Sequence, residues 1–335
     1  MAAYTTIDDP EAYFQVKIYS GTGSSQAYTL DGDTDMQPDL VWIKERGGTQ
    51  NNIVTDSLRG TNKNLYPDIG DNEATTTDNI TAFGSDGFTL AGAGNETNGS
   101  SKTYVAWCWK ESATAGFDIL TFEGNTTAKT VSHNLSAVPH CMLLKNYDTT
   151  GGTNWIMYHH SLGNTYGIVL NENEDQDDQA HYWNDTTPTS SVFTVGDGAQ
   201  TNGSADGASI ISYLWSEKQG FSKFGSYKGN GNADGPFVYT GFRPAFLMVK
   251  KSSGTGNWVM SDNKRVGYNR VGHTLYANTS GAELAGDGVY FDLLSNGFKI
   301  RDASSANNTS GGTYIYMAFA EAPFVNSNGV PCNAR

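Results

Sequence analysis

The sequence is short of cysteine and of positive charge, and it has no long apolar run. Three cysteines (Cys108, Cys141 and Cys332) in 335 residues are an odd count without metal-ligand spacing, which excludes a disulfide-built scaffold and a zinc ribbon. They read as thiols of a protein made in a reducing cytoplasm. Lysine and arginine number 21 against 35 acidic residues, for a net charge of −14. A chain so poor in cations repels phosphate backbones and anionic lipid, so neither nucleic acid nor membrane insertion is expected. No stretch approaches the roughly 18 apolar residues of a membrane span. The opening MAAYTTIDDPEAYF has no basic stretch followed by an apolar one, so no secretory leader is expected. The metalloprotease, nucleophile-elbow and phosphate-loop motifs are missing too. KGNGNADG (228–235) resembles a phosphate loop in composition only, because it joins strand to strand and reads as a turn.

Glycine and aromatics are plentiful: 39 Gly, 15 Phe, 18 Tyr and 7 Trp. Glycine and asparagine supply the backbone angles of tight turns, and the rings are enough to build a core. The chain also repeats itself. PDLVWIK (38–44) returns as PHCMLLK (139–145) and PAFLMVK (244–250), with prolines 101 and 105 residues apart. YVAWCWK (104–110) returns as IISYLWS (210–216) and YIYMAFA (314–320). YSGTG, FEGNT and YKGNG match, as do GFTL, VFTV and GFKI, and so do Asn98, Asn202 and Asn308. The order and period define three units, 14–113, 114–219 and 220–323, between an N-terminal arm (1–13) and a tail (324–335). Short apolar or alternating runs between turn clusters predict an all-β protein: three tandem β-sandwiches of one topology, jelly-roll or lectin-like. Linkers as short as KESATAG and SEKQG predict a fixed arrangement of the units.

The paired tryptophans of YVAWCWK could form a sugar platform or a core. Side chains alternate along a strand, so Val105, Trp107 and Trp109 share one face and Tyr104, Ala106 and Cys108 the other. The equivalents of Trp107 are Tyr213 and Met317, and those of Trp109 are Trp215 and Phe319. Bulk persists while ring type does not, which is how core positions behave. Val41–Ile43 and its counterparts are continuous apolar runs, as expected of strands buried on both faces.

Candidate sites lie where one copy departs from the others. The second unit alone carries NENEDQDDQAHYWNDTTPT (171–189). Its His181, Tyr182 and Trp183 could stack on and hydrogen-bond a sugar, with Trp183 packed into its own domain as the alternative. Asp175, Asp177 and Asp178 could hold a hard cation, with a solvated loop as the alternative. DGDTD (31–35) has calcium-loop spacing but carries Met36 and Trp42 where such a loop needs Gly and Glu. Adjacent His159 and His160 point to opposite faces of a strand and are unsuited to one metal. Asp56 with Arg59, and Asp262 with Arg265, read as structural ion pairs. The N-x-S/T asparagines 98, 202 and 308 read as turn residues. No pair of carboxylates marks a glycosidase, no catalytic residue stands out and no cofactor is implied.

AYTTIDDPEAYFQVKIYSGTGSSQ, QPDLVWIKERG, DSLRG, FGSDGFTL and TYVAWCWK, with the closing GPFVYTGFRPAFLMVK and GGTYIYMAFAEAPF, resemble virion structural proteins of marine tailed phages. These carry a repeated domain of unknown function and are often described as tail-fibre or lectin-like. The resemblance covers nearly the whole chain. It implies a component of the phage particle built of β-sandwich domains. An acidic, all-β triplicate without a catalytic motif suits a virion-surface fibre or spike, a homo-oligomer or multi-copy assembly contacting host-surface glycans. The arm (1–13), which has no counterpart before the second or third unit, is the expected attachment to other virion proteins. A head or tail decoration protein with a mechanical role, or a polysaccharide-degrading enzyme, are the alternatives. The family supplies no catalytic residues to carry over.

Overall fold

The computed structural model describes residues 3–92, 94–149, 151–286 and 288–332. The fold is almost entirely antiparallel β. Among the described residues, helix is confined to single turns at Ala180–Trp183 and Ala199–Asn202 in the second unit and a 3-10 turn at Pro10–Ala12. No helix is long and apolar enough to cross a membrane.

Each unit has an inner and an outer sheet. The inner sheet of the first unit runs in the order Phe14–Ser20, Thr103–Trp109, Leu40–Glu45, Ile53–Asp56. The second follows the same plan with Phe117–Glu123, Ser209–Trp215, Cys141–Asn146 and Ile156–His159. The third does so with Ser222–Lys228, Thr313–Pro323, Phe242–Lys251 and Val259–Asp262. Register repeats with topology. Trp42 pairs with Trp107, Leu143 with Tyr213, and Met248 with Met317. The outer sheets are Gln26–Tyr28, Gly87–Leu90 and Ile80–Gly84, then Lys129–Ser132 with Val192–Val195, then Phe237–Tyr239, Gly297–Ile300 and Phe291–Leu294.

The inner strands are buried on both faces, and alternation assigns each face a different neighbour. In the first unit Tyr104, Ala106, Cys108, Val41 and Ile43 meet Tyr28, Phe88 and Leu90 of the outer sheet. The opposite face, with Val105, Trp107, Trp109, Leu40 and Trp42, enters a core built by all three units. There Trp109 meets Trp215, Phe246 and Phe319. The tryptophan pair is therefore core, at the centre of the molecule. A wholly apolar cavity of about 20 Å³ lies among these side chains, lined from each unit by residues such as Trp42, Leu143 and Met248. A void with so apolar a lining stays dry.

The arm does not stand apart. Ile7 is buried in the central core, the Thr5 hydroxyl donates to the Gln219 carbonyl (2.8 Å), and the Tyr4 hydroxyl donates to the Gly241 carbonyl (2.9 Å). Asp8 accepts from the backbone of Ser327 (2.6 Å), tying arm to tail. Tyr4, Thr5 and Asp8 thus pack on the third unit, the end of the second unit and the tail.

Candidate functional site

Buried polar chemistry concentrates at the junctions between units, and there are three junctions. The backbone N–H of Glu73 donates to Tyr147 (2.9 Å), that of Gln176 to Ser252 (3.2 Å) and that of Glu283 to Arg46 (2.7 Å). These are the same two positions each time, linking first to second, second to third and third to first. Indole and amide donors run the other way round. Trp155 Nε1 reaches the Tyr66 carbonyl (2.8 Å), Trp258 Nε1 the Val169 carbonyl (2.9 Å) and Asn52 Nδ2 the Thr279 carbonyl (3.0 Å). The three sandwiches therefore close into a pseudo-threefold ring within one chain. Arg46 and Glu283 add a bidentate pair (2.8 and 3.0 Å) at the junction between third and first units. Burial opposes ionisation of Glu283, but Arg46 and Arg265 hold its carboxyl below the usual range.

The expected ion pairs sit at these junctions and are buried. Arg59 Nη2 lies 2.6 Å from Asp56 and Arg265 Nε 2.6 Å from Asp262. Each carboxylate also accepts from the next unit: Asp56 from the Tyr213 hydroxyl (2.7 Å), Asp262 from Trp107 Nε1 (3.2 Å). The second unit replaces the pair with His159 and Leu162, and the third unit opposite offers Met317, which has no donor. His159 Nδ1 accepts from the Ser161 N–H and its Nε2 faces the Tyr316 carbonyl (3.1 Å), so it sits as the neutral Nε2–H tautomer. Burial lowers its pKa to about 3. His160 lies in the turn just past the strand Ile156–His159 and its Nε2 faces the Phe224 carbonyl (3.0 Å), so the two rings are not sent to opposite faces as expected but stand side by side, 5.3 Å between centroids.

Two groups at the junctions went unread in the sequence. Lys44, Lys145 and Lys250 stand one residue before the end of the three matching strands, are fully buried, and are lowered by burial to a pKa of about 8. Their ammonium groups donate to carbonyls, of which Gly70 (2.8 Å) and Asn173 (3.3 Å) belong to the preceding unit. Their signal was the lysine closing each apolar run. Asp68 is the second group. Its counterparts Asn171 and Asn278 accept a backbone N–H and donate to Asn154 (2.8 Å) and Asn257 (3.0 Å). Asp68 accepts the Asn52 N–H (3.0 Å), but its other oxygen is buried without a partner, and burial raises its pKa to about 7.

The residues singled out in the second unit do not form an exposed sugar site. The turn Ala180–Trp183 sends Trp183 into the sandwich, where it is fully buried, meets Tyr158 edge-on and donates to the Tyr166 carbonyl (2.9 Å). A large ring beside an apolar core gains more from burial than from water. Tyr182 is buried too, with its hydroxyl on Asp177 (3.2 Å), while His181 is exposed and pairs with Asp197, which raises its pKa. Asp177 and Asp178 form a short exposed strand, and no cluster with Asp175 suited to a metal occurs among the described residues. Asn98, Asn202 and Asn308 are fully buried; each accepts a backbone N–H from the matching glycine turn (2.9, 3.1 and 2.8 Å).

The exposed aromatic surface lies on the third unit. On the outer sheets, Tyr28, Val131 and Val238 occupy one register position, each opposite the matching Phe. The outward neighbours are Ala27 and Thr29 in the first unit and Thr130 and Ser132 in the second. In the third they are Phe237 and Tyr239, about half exposed. Nearby, the segment from Asp262 to Tyr276 is four residues longer than its first-unit counterpart, Asp56 to Tyr66. It presents Tyr268, 72% exposed, over a groove of about 520 Å³ that Arg243, Asn269, Leu294 and Asn296 help to line.

No curated protein and no solved structure matches this chain. A family described as a domain of unknown function, DUF7483, matches residues 9–323 and so spans all three units as one domain. The chain belongs to the DUF7483 family.

Proposed function

We propose that this protein is a structural component of a tailed-phage virion, a surface appendage that holds a host-glycan contact on a rigid body. The observation that carries this reading is the closed ring. Three junctions tie the units through backbone bonds, buried ion pairs and a common core. Such a body does not swing on linkers, and it presents its outer loops at fixed positions. The acidic balance suits a protein displayed in many copies, because like charges keep neighbouring surfaces apart. Thr5, Ile7 and Pro10 are already buried within the chain, so attachment through the arm would use its exposed residues, such as Thr6.

The same rigidity favours a second reading, a head or tail decoration protein with a mechanical role. Immunogold labelling of purified particles separates the two. Label at the tail tip or fibres supports the appendage, and label spread over the head supports decoration. Purified particles that lack the protein would remove both.

A further inference from the structure

The three units serve as controls for one another. Core positions keep their apolar character in every copy, and two of the three junctions keep their acid–arginine pair, while the outward faces have diverged. Diverged faces suit a ligand that meets one unit better than a partner with threefold symmetry.

The third unit gained both exposed rings and a longer loop, and that loop is pinned. Asn269 donates to the Leu293 carbonyl (3.0 Å) and accepts the Leu293 N–H (2.9 Å). Two residues on, Val271 exchanges backbone hydrogen bonds with Phe291 (2.8 and 3.0 Å). On the near side Val266 packs against the core. The loop that carries Tyr268 is therefore fastened on both sides, and its ring stands in water. A backbone already ordered loses little freedom when a ligand covers the ring. The opposite wall is also fixed, because the Asn296 carbonyl accepts the N–H groups of Thr240 (3.0 Å) and Gly241 (3.1 Å). Tyr239 stands beside that wall.

We propose that the groove between Tyr268 and Asn296 binds a saccharide of a surface polysaccharide, its pyranose stacked on Tyr268 and its hydroxyls met by Arg243 and Asn296. Aromatic faces attract the C–H face of a sugar, and guanidinium and amide groups bond its hydroxyls. The groove falls within the roughly 300–1,000 Å³ of small-ligand sites. Tyr239 and Phe237 extend the aromatic strip for further sugar units. This inference rests on the host-glycan part of the reading above and names its site.

The test uses the full chain on an array of bacterial lipopolysaccharide and capsular oligosaccharides, followed by calorimetric titration of the best binder. Tyr268→Ala should raise Kd at least tenfold with an unchanged melting temperature, since the ring is exposed. Tyr268→Phe should keep most of the affinity, and Thr194→Ala, on the second unit's outer sheet, should change nothing. Binding that survives Tyr268→Ala and Arg243→Gln overturns the groove and leaves the host-glycan reading standing. An intact chain that binds no glycan on the array overturns both.

Discussion

Two junctions of the ring use acid and arginine, and one uses histidine. At Asp56 and Asp262 a buried carboxylate is held by arginine and receives a donor from the next unit, Tyr213 or Trp107. At the junction of second and third units the acid is His159, the arginine is Leu162, the second carboxylate on that arginine (Glu73 on Arg59 at 2.9 Å, Glu283 on Arg265 at 3.1 Å) is Gln176, and the donor is Met317. Four positions differ together. The reason lies in the donor. Without an O–H or N–H from Met317, a carboxylate there would face the Tyr316 carbonyl, so the position carries a neutral ring that donates to it. With no carboxylate, a buried arginine would lack its partner, and leucine packs instead. The units are thus matched in order around the ring.

The comparison breaks most sharply at His159. His159→Asp should cost about 3–5 kcal/mol, the range for a buried charge without its partner. Adding Leu162→Arg and Met317→Tyr should recover more than half of the loss, although neither substitution helps alone. Urea unfolding of the single, double and triple variants measures the coupling. Simple additivity would mean that these three positions do not act as a set.

A smaller effect is expected on the charged side. Tyr213→Phe removes one donor from Asp56 and should cost about 1.5–3 kcal/mol, as for a hydrogen bond to a charged group. Burial with Asp56 alongside holds the Tyr213 phenol well above its usual pKa, so it stays a donor through neutral pH. A midpoint shift below the scatter of replicate urea curves would show that the bond contributes nothing.

Asp68 sharpens the comparison in the opposite direction. Its folded pKa of about 7 stands above the usual 3.8, so its cost to stability grows as pH rises from about 4 to 7 and is complete above 7. Asp68→Asn installs the residue of the other two copies. It should stabilise the protein by about 1–3 kcal/mol at pH 8, from satisfying a buried polar group, and by much less at pH 4. Equal gains at both pH values would contradict the assignment.

The sequence made the repeat legible, because side-chain alternation and apolar runs are local. It placed Trp107 and Trp109 in a core and paired Asp56 with Arg59, since both follow from spacing along one strand or turn. Ring closure was not legible: residues such as Arg46 and Glu283 are 237 positions apart, and nothing local brings them together. Trp183 could not be assigned from its polar neighbours, because the short turn at Ala180–Trp183 decides which way its ring points. Lys44, Lys145 and Lys250 were visible as a triplicate but carried no meaning until the junction carbonyls stood opposite them. Tyr268 was visible as an insertion only once the third unit was aligned with the first, and its pinning depends on the edge strand Phe291–Leu294.

The closed ring is tested most directly by cross-linking third unit to first. Arg46→Cys with Glu283→Cys, in a chain carrying Cys332→Ser, places two thiols where the Glu283 N–H meets the Arg46 carbonyl at 2.7 Å. The remaining cysteines, Cys108 and Cys141, are buried. A short bifunctional thiol reagent should close a covalent loop of more than 200 residues in the monomer, seen as faster migration on a denaturing gel. It should do so as readily as in the chain with Glu73→Cys and Tyr147→Cys, which tests the junction of first and second units. Cross-linking at that junction but none between Arg46 and Glu283 positions would mean that the units stand in an open row and that the ring does not exist.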